Sequence, residues 1–84
     1  MGKTLHVGNL SSSATDAELL AMFGRCGIVA SAKVVRDAGS GLSKGFGLVE
    51  MSSGEEAQIA IDRLNFTQWD GRIMSVSQTR VERR

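Results

Sequence analysis

Two short stretches of this chain hold the residues best suited to chemistry, and both alternate with the two-residue period of a β-strand. Leu5-His6-Val7-Gly8-Asn9-Leu10 offers an imidazole and a carboxamide. Lys44-Gly45-Phe46-Gly47-Leu48-Val49-Glu50-Met51 offers an ammonium group and a phenyl ring. Period two puts Lys44, Phe46, Leu48 and Glu50 on one face of the second stretch and Val49 and Met51, with Gly45 and Gly47, on the other. In the first stretch, Leu5 and Val7 separate in the same way from Thr4, His6 and Gly8. Paired side by side, the two strands set a basic residue, an aromatic ring and an imidazole on one open face. Rings there can stack on bases, and Lys or Arg can hold phosphates, which suits a splayed single strand of nucleic acid. The chain has no Cys/His cluster at metal spacing and no Gly-x-x-x-x-Gly-Lys-Ser/Thr loop. No enzyme, metal or cofactor is expected.

Such a face works only if the rest of the chain builds a platform and leaves it bare. Thr15-Asp16-Ala17-Glu18 reads as a capping box, followed by an apolar stripe of Leu19, Leu20, Met22 and Phe23, with Gly27 as the helix stop. Val29 to Arg36 is β-rich. Val29, Ala32 and Val34 point inward and Ser31, Lys33 and Val35 outward, a phase that requires a bulge or bend near Ala30. Ala38-Gly39-Ser40-Gly41 reads as a flexible loop. Ser53-Gly54-Glu55-Glu56 is a second capping box, opening a helix with Ala57, Ala60, Ile61 and Leu64 inward. Asp70-Gly71 signals a tight turn, and Arg72 to Gln78 alternates as one strand with Met74 and Val76 inward. The order strand, helix, strand, strand, helix, strand, with right-handed crossovers, predicts an α+β fold. It is a ferredoxin-like βαββαβ sandwich, a four-stranded antiparallel sheet with two helices packed on one face.

Eighty-four residues make one small domain, with a core over about residues 3–79 and a basic tail at 80–84. The single cysteine, Cys26, fits a reducing compartment and reads as a small buried hydrophobe. No apolar run is long enough to span a membrane and no charged-then-apolar leader opens the chain, so a cytoplasmic location is expected. The formal net charge is only +1, yet the charges are segregated. The helical segments carry Asp16, Glu18, Glu55, Glu56 and Asp62 against Arg25 and Arg63. Strands, loops and tail carry Lys3, Lys33, Arg36, Lys44, Arg72, Arg80, Arg83 and Arg84 against Asp37, Glu50, Asp70 and Glu82. That polarity would orient a polyanion toward the sheet.

Over nearly its whole length the chain resembles the RNA recognition motif family, and most of all its small single-domain bacterial members. Leu5 to Leu10 is similar to the family's hexamer and Lys44 to Met51 to its octamer. Asp37 with its Gly-rich loop, Ala57, Ala60-Ile61, Leu64-Asn65, Gly71-Arg72 and Val76 also fall where the family pattern has similar residues. The resemblance implies single-stranded RNA as partner, with single-stranded DNA, if bound, held more weakly. The three positions that the family fills with RNA-facing aromatics are here His6, Phe46 and Leu48, and the buried aromatic at the octamer's end is Met51. On this reading one base stacks on Phe46 and a neighbour on His6, while Leu48 packs on a sugar or base edge. Asn9 and Gln78 read base edges, and Lys44, Lys33 and Arg80 hold phosphates, with Lys3 and Arg36 as further cationic contacts. A lost stacking contact costs about 1–3 kcal/mol, so Leu48 predicts weak, roughly micromolar binding by the isolated domain.

Plainer readings compete with these. His6 reads equally well as a filler of the sheet face. Lys3, Lys33, Arg36 and Arg80 each read equally as contacts and as solubilising charges. Trp69, just before Asp70-Gly71, reads better as a staple of the turn against the second helix than as a stacking platform. The rival function is a protein-interaction module using the same apolar face, where Val35 and Ile73 join Leu48 and Phe46. A helix-side grip on a tryptophan-bearing ligand fits less well, because Gly71-Arg72-Ile73 lacks the phenylalanine of the Arg-x-Phe loop that such a grip uses. A monomer is favoured.

Overall fold

In the computed structural model, which describes residues 3–69 and 71–79, the predicted order is present. β1 (Thr4–Gly8), α1 (Asp16–Phe23), β2 (Val29–Arg36), β3 (Ser43–Met51) and α2 (Gly54–Leu64) are followed by three short strands, β4 (Gln68–Trp69), β5 (Arg72–Ile73) and β6 (Ser75–Gln78). The main sheet is antiparallel in the order β2-β3-β1-β6, so the strands bearing the two motifs are its central pair. This is the ferredoxin-like βαββαβ arrangement, with both helices on one face. Leu5, Val7, Val34, Val49, Met51, Met74 and Val76 from the sheet meet Leu19, Phe23, Ala57 and Ala60 from the helices in one buried core. Removing that apolar surface from water, at about 25 cal/mol per Å², drives the packing.

Several local readings hold and several are corrected. The bulge is where the phase demanded it: Val29 pairs with Met51 and Ser31 with Glu50, leaving Ala30 as the extra residue. Thr15 caps α1 as a full box, its hydroxyl accepting from the Glu18 N–H while Glu18 accepts from the Thr15 N–H. At α2 the box is only half formed. Ser53 accepts from the Glu56 N–H, but the Glu56 carboxylate takes the Ser52 hydroxyl instead of reaching back to Ser53. Helix α1 stops at Gly24 rather than Gly27, and Leu20 turns outward, half exposed. Gly27 answers a different need: a Cβ there would sit 2.8 Å from the Glu56 side chain.

The stretch Arg72 to Gln78 is not one strand. Arg72–Ile73 pairs with Gln68–Trp69, and the Met74 N–H donates to the Thr67 carbonyl at 2.8 Å, before Ser75–Gln78 joins β1. Gly71 lies in the two-residue connection of that small hairpin; Asp70 lies outside the described residues. The β2–β3 loop carries hydrogen bonds of its own. Asp37 accepts from the Ser40 N–H and hydroxyl at 2.9 and 3.0 Å, and the Asp37 N–H donates to the Leu42 carbonyl. The sheet's edges are tied to neighbouring segments. On β2 the Val34 N–H donates to Asp16 Oδ1 at 2.7 Å, and on β6 the Val76 N–H donates to Asn65 Oδ1 at 2.9 Å.

Candidate nucleic-acid interface

The face opposite the helices is a grid set by strand register. One row crosses it as Lys33, Leu48, His6 and Ser77, a second as Phe46, Gly8 and Ser75, and a third as Ser31, Glu50 and Thr4. His6 and Phe46 are diagonal neighbours, and their rings stack with centroids 5.2 Å apart at an interplanar angle of 24°. Beside the pair, Gly8 serves its own row: a Cβ there would meet Ser75 Oγ at 2.8 Å, while His6 Cε1 at 3.5 Å would be in ordinary contact. The centroid distance lies in the range of rings already in contact. The space between the two rings is thus already filled, and only their outer surfaces are open to a further flat group. Gly47, beneath the platform, lets α1 and β2 close on β3; a Cβ there would meet the Lys33 carbonyl oxygen at 2.8 Å and Leu19 Cδ1 at 2.9 Å.

Around the rings the sequence-derived candidates fall into three groups. Leu48 is 40% exposed and shares its row with the exposed Lys33, so both stand on the open face with Phe46 and His6. Lys3 is exposed at the start of β1, where its carbonyl accepts the Met51 N–H. A second group is tied to the protein itself. Arg36 donates through Nη2 to the Ala14 carbonyl at 3.1 Å. Asn9, in the left-handed region at φ 59°, donates from Nδ2 to the Ile73 carbonyl at 2.7 Å and accepts from Arg72 Nη1 at 3.0 Å. Gln78 pairs with Leu5, so its register phase is that of Val76 and the helix side, not that of His6. The third group lies outside the description: Arg80 altogether, and Lys44 as far as its side chain is concerned.

The helical acids other than Asp62 gather at the helix starts, while Lys44's side chain, Asp70 and the basic tail from Arg80, which the expected polarity also counts, lie outside the described residues. Asp16 and Glu18 occupy the first turn of α1, and Glu55 and Glu56 that of α2, where helix dipoles favour anions. On the open face Glu50 is the half-buried acid of the third row. Asp37 has its carboxyl held below the ordinary 3.8, first by the Ser40 N–H and then by the Ser40 hydroxyl, both of which favour the carboxylate. Trp69 and Cys26 pack against the core and line a groove with Met22 and Leu64 on the helix side, remote from the ring pair. Arg72 is not among the sequence-derived candidates, yet it bonds to one of them, Asn9. Its link to Asn9 spans 63 positions, and only the Gly71-Arg72 pattern hinted at it.

Comparison with known proteins agrees with this geometry. The sequence matches the RNA recognition motif over residues 5–75. It is 47% identical over 74 residues to the chloroplastic 29 kDa ribonucleoprotein of Arabidopsis thaliana, covering 88% of this chain and 22% of that one. It is 36% identical over 77 residues to the putative RNA-binding protein RbpE of the bacterium Nostoc, covering 92% of this chain and 78% of that one. The chain thus spans about a quarter or less of the chloroplast relatives it matches and most of the bacterial one. Among solved structures, a Sxl-lethal protein/RNA complex superposes with a TM-score of 0.92 at 30% identity, over 98% of this chain and 49% of that one. With a family match across most of its length and the sheet carrying both motifs on its central strands, this chain belongs to the RNA recognition motif family.

Proposed function

We propose that this chain binds single-stranded RNA across the open sheet face. The observation that carries the reading is the His6–Phe46 ring stack, set on the central strands of a face that neither helix covers. One base lies on Phe46 and a neighbour over His6. Leu48 packs against a sugar or base edge, and Lys33 at the end of its row takes phosphate, with Lys44, Lys3 and Arg80 as further cations along the strand. The RNA-binding names of the relatives and the RNA complex among the structural neighbours support the same partner. Because Leu48 supplies area but no π-face, the isolated domain binds weakly, about micromolar, and acts as a monomer.

The test is fluorescence anisotropy of a labelled random-sequence single-stranded RNA, titrated with wild type and Phe46→Ala at two salt concentrations. Salt-sensitive binding that falls severalfold in the variant is expected. Binding indifferent to Phe46, or none at high protein concentration, would refute the assignment and leave a protein partner for the same face. Light scattering with and without the RNA checks the monomer.

A further inference from the structure

The Asn9–Arg72 contact stands at the end of β1 where Gly8 faces Phe46. Its chemistry is unambiguous. A guanidinium can only donate and a main-chain carbonyl can only accept, so the Asn9 carboxamide has one workable orientation, oxygen to Arg72 and nitrogen to the Ile73 carbonyl. The backbone supports that orientation. Asn9 sits at φ 59°, a region that asparagine tolerates far better than most residues, and the following Leu10 N–H donates to the Gly45 carbonyl at 2.8 Å. The loop is thereby fixed to β3 on one side and to β5 on the other. Arg72 is exposed and uses Nη1 on Asn9, so its guanidinium is held in place, with its other donors facing no partner among the described residues. A long, flexible side chain on a two-residue strand would otherwise sample many rotamers, and part of that entropy is already spent before any ligand arrives.

From this we infer that Arg72, oriented by Asn9, is a phosphate-binding site for the RNA strand at the Phe46 end of the platform. Asn9 is a positioning residue rather than a reader of base edges. The inference rests on RNA lying on the open face. Phosphate is the ligand class because bases stacked over the central rings direct the backbone outward, and Arg72 is tied to Asn9, the residue after Gly8, which pairs with Phe46. A planar fork of donors held at one side also suits the oxygens of a phosphodiester. Lys33 flanks the rings on the β2 side, opposite Leu48, and is the second cation such a strand would meet.

The experiment titrates a labelled random-sequence single-stranded RNA with wild type, Arg72→Ala, Asn9→Gly, the double variant and Phe46→Ala across a salt series. Glycine accepts the positive φ at position 9, so the loop backbone survives; circular dichroism melts verify the fold. Arg72→Ala is expected to weaken binding about tenfold. It should also lower the slope of log K against log salt by about 0.7, the loss of one phosphate contact on a single strand. Asn9→Gly should weaken binding about threefold, and add nothing further once Arg72 is alanine, since its effect runs through that side chain. Three results would overturn the inference: wild-type affinity in Arg72→Ala, a loss of affinity with an unchanged salt slope, or additive effects of the two changes. If Phe46→Ala still loses binding in those cases, the corner alone has failed. If Phe46→Ala also binds normally, the sheet face itself is not the RNA site.

Discussion

Leu48→Phe should make this protein a tighter RNA binder, and the size of the gain can be worked from the sheet. Leu48 lies between Lys33 and His6 in its row, on the face no helix covers, and is already 40% exposed. A larger side chain there meets no core and causes no overpacking. A ring at this position adds a stacking surface beside the His6–Phe46 pair. One base–aromatic stack is worth about 1–3 kcal/mol, but leucine already gives apolar contact, so the net gain is about 1–2 kcal/mol. That corresponds to roughly 5- to 30-fold in affinity. Stability should change by well under 1 kcal/mol, within the range of a cross-strand aromatic pair. The slope of affinity against salt should stay constant, because no charge is added. Anisotropy titrations at several salt concentrations, with a thermal melt of each variant, read all three quantities. A gain cannot be produced by partial unfolding, which makes the test sharper than any alanine replacement. Unchanged or weaker binding by a variant that melts normally would show that no base passes over Leu48, and the proposed path of the strand would fall.

Other changes have defined outcomes. Asp16→Ala frees the Val34 N–H on an edge strand that water can reach, so it should cost about 1 kcal/mol in urea unfolding; Asp16→Asn keeps the acceptor and should cost less. Thr15→Ala removes the hydroxyl of a complete capping box and should destabilise by about 1 kcal/mol, measured the same way. Phe66 stands 75% exposed at φ 65°, where a bulky residue is strained. Phe66→Gly should therefore stabilise by about 0.5–1 kcal/mol and raise the Tm, with RNA affinity unchanged. For Asp37 the sign follows from a lowered folded-state pKa. Its bonds to Ser40 contribute fully above the ordinary 3.8 and are lost as pH falls through the lower folded value. Exchange protection at the Ser40 amide should hold at neutral pH, fade below about pH 4, and be missing at every pH in Asp37→Ala.

What the sequence conveyed was whatever a local period can carry. The alternation of Phe46, Leu48 and Glu50 against Gly47, Val49 and Met51 predicts the open face. The broken phase between Val29 and Ala32 predicts the extra residue at Ala30. Long-range competition was silent. Glu56 has two serines within reach, and only the packed structure shows it choosing Ser52 over the cap. Gly27 looks like a helix stop because glycine is common there, whereas the constraint comes from α2, nearly thirty residues away. Arg72 and Ile73 share the alternation of Ser75 to Gln78, so the exchange of partners at Met74 left no mark on the pattern. Asn9 drew notice as a polar group beside the motif, but its ties to Arg72 and Ile73 depend on the hairpin folding back against β1.

The side chains on the outer strands carry one further consequence. At mid-strand on β2 and again on β6, the outward N–H that would seat another strand is already taken, by Asp16 on one side and Asn65 on the other. A foreign strand or a second copy arriving sideways would have to evict a carboxylate or a carboxamide before its first ladder bond could form. Among the described residues, both edges of the four-stranded sheet are thereby blunted by side chains at their middle. A second copy lying alongside would find no ready N–H to pair with at either position.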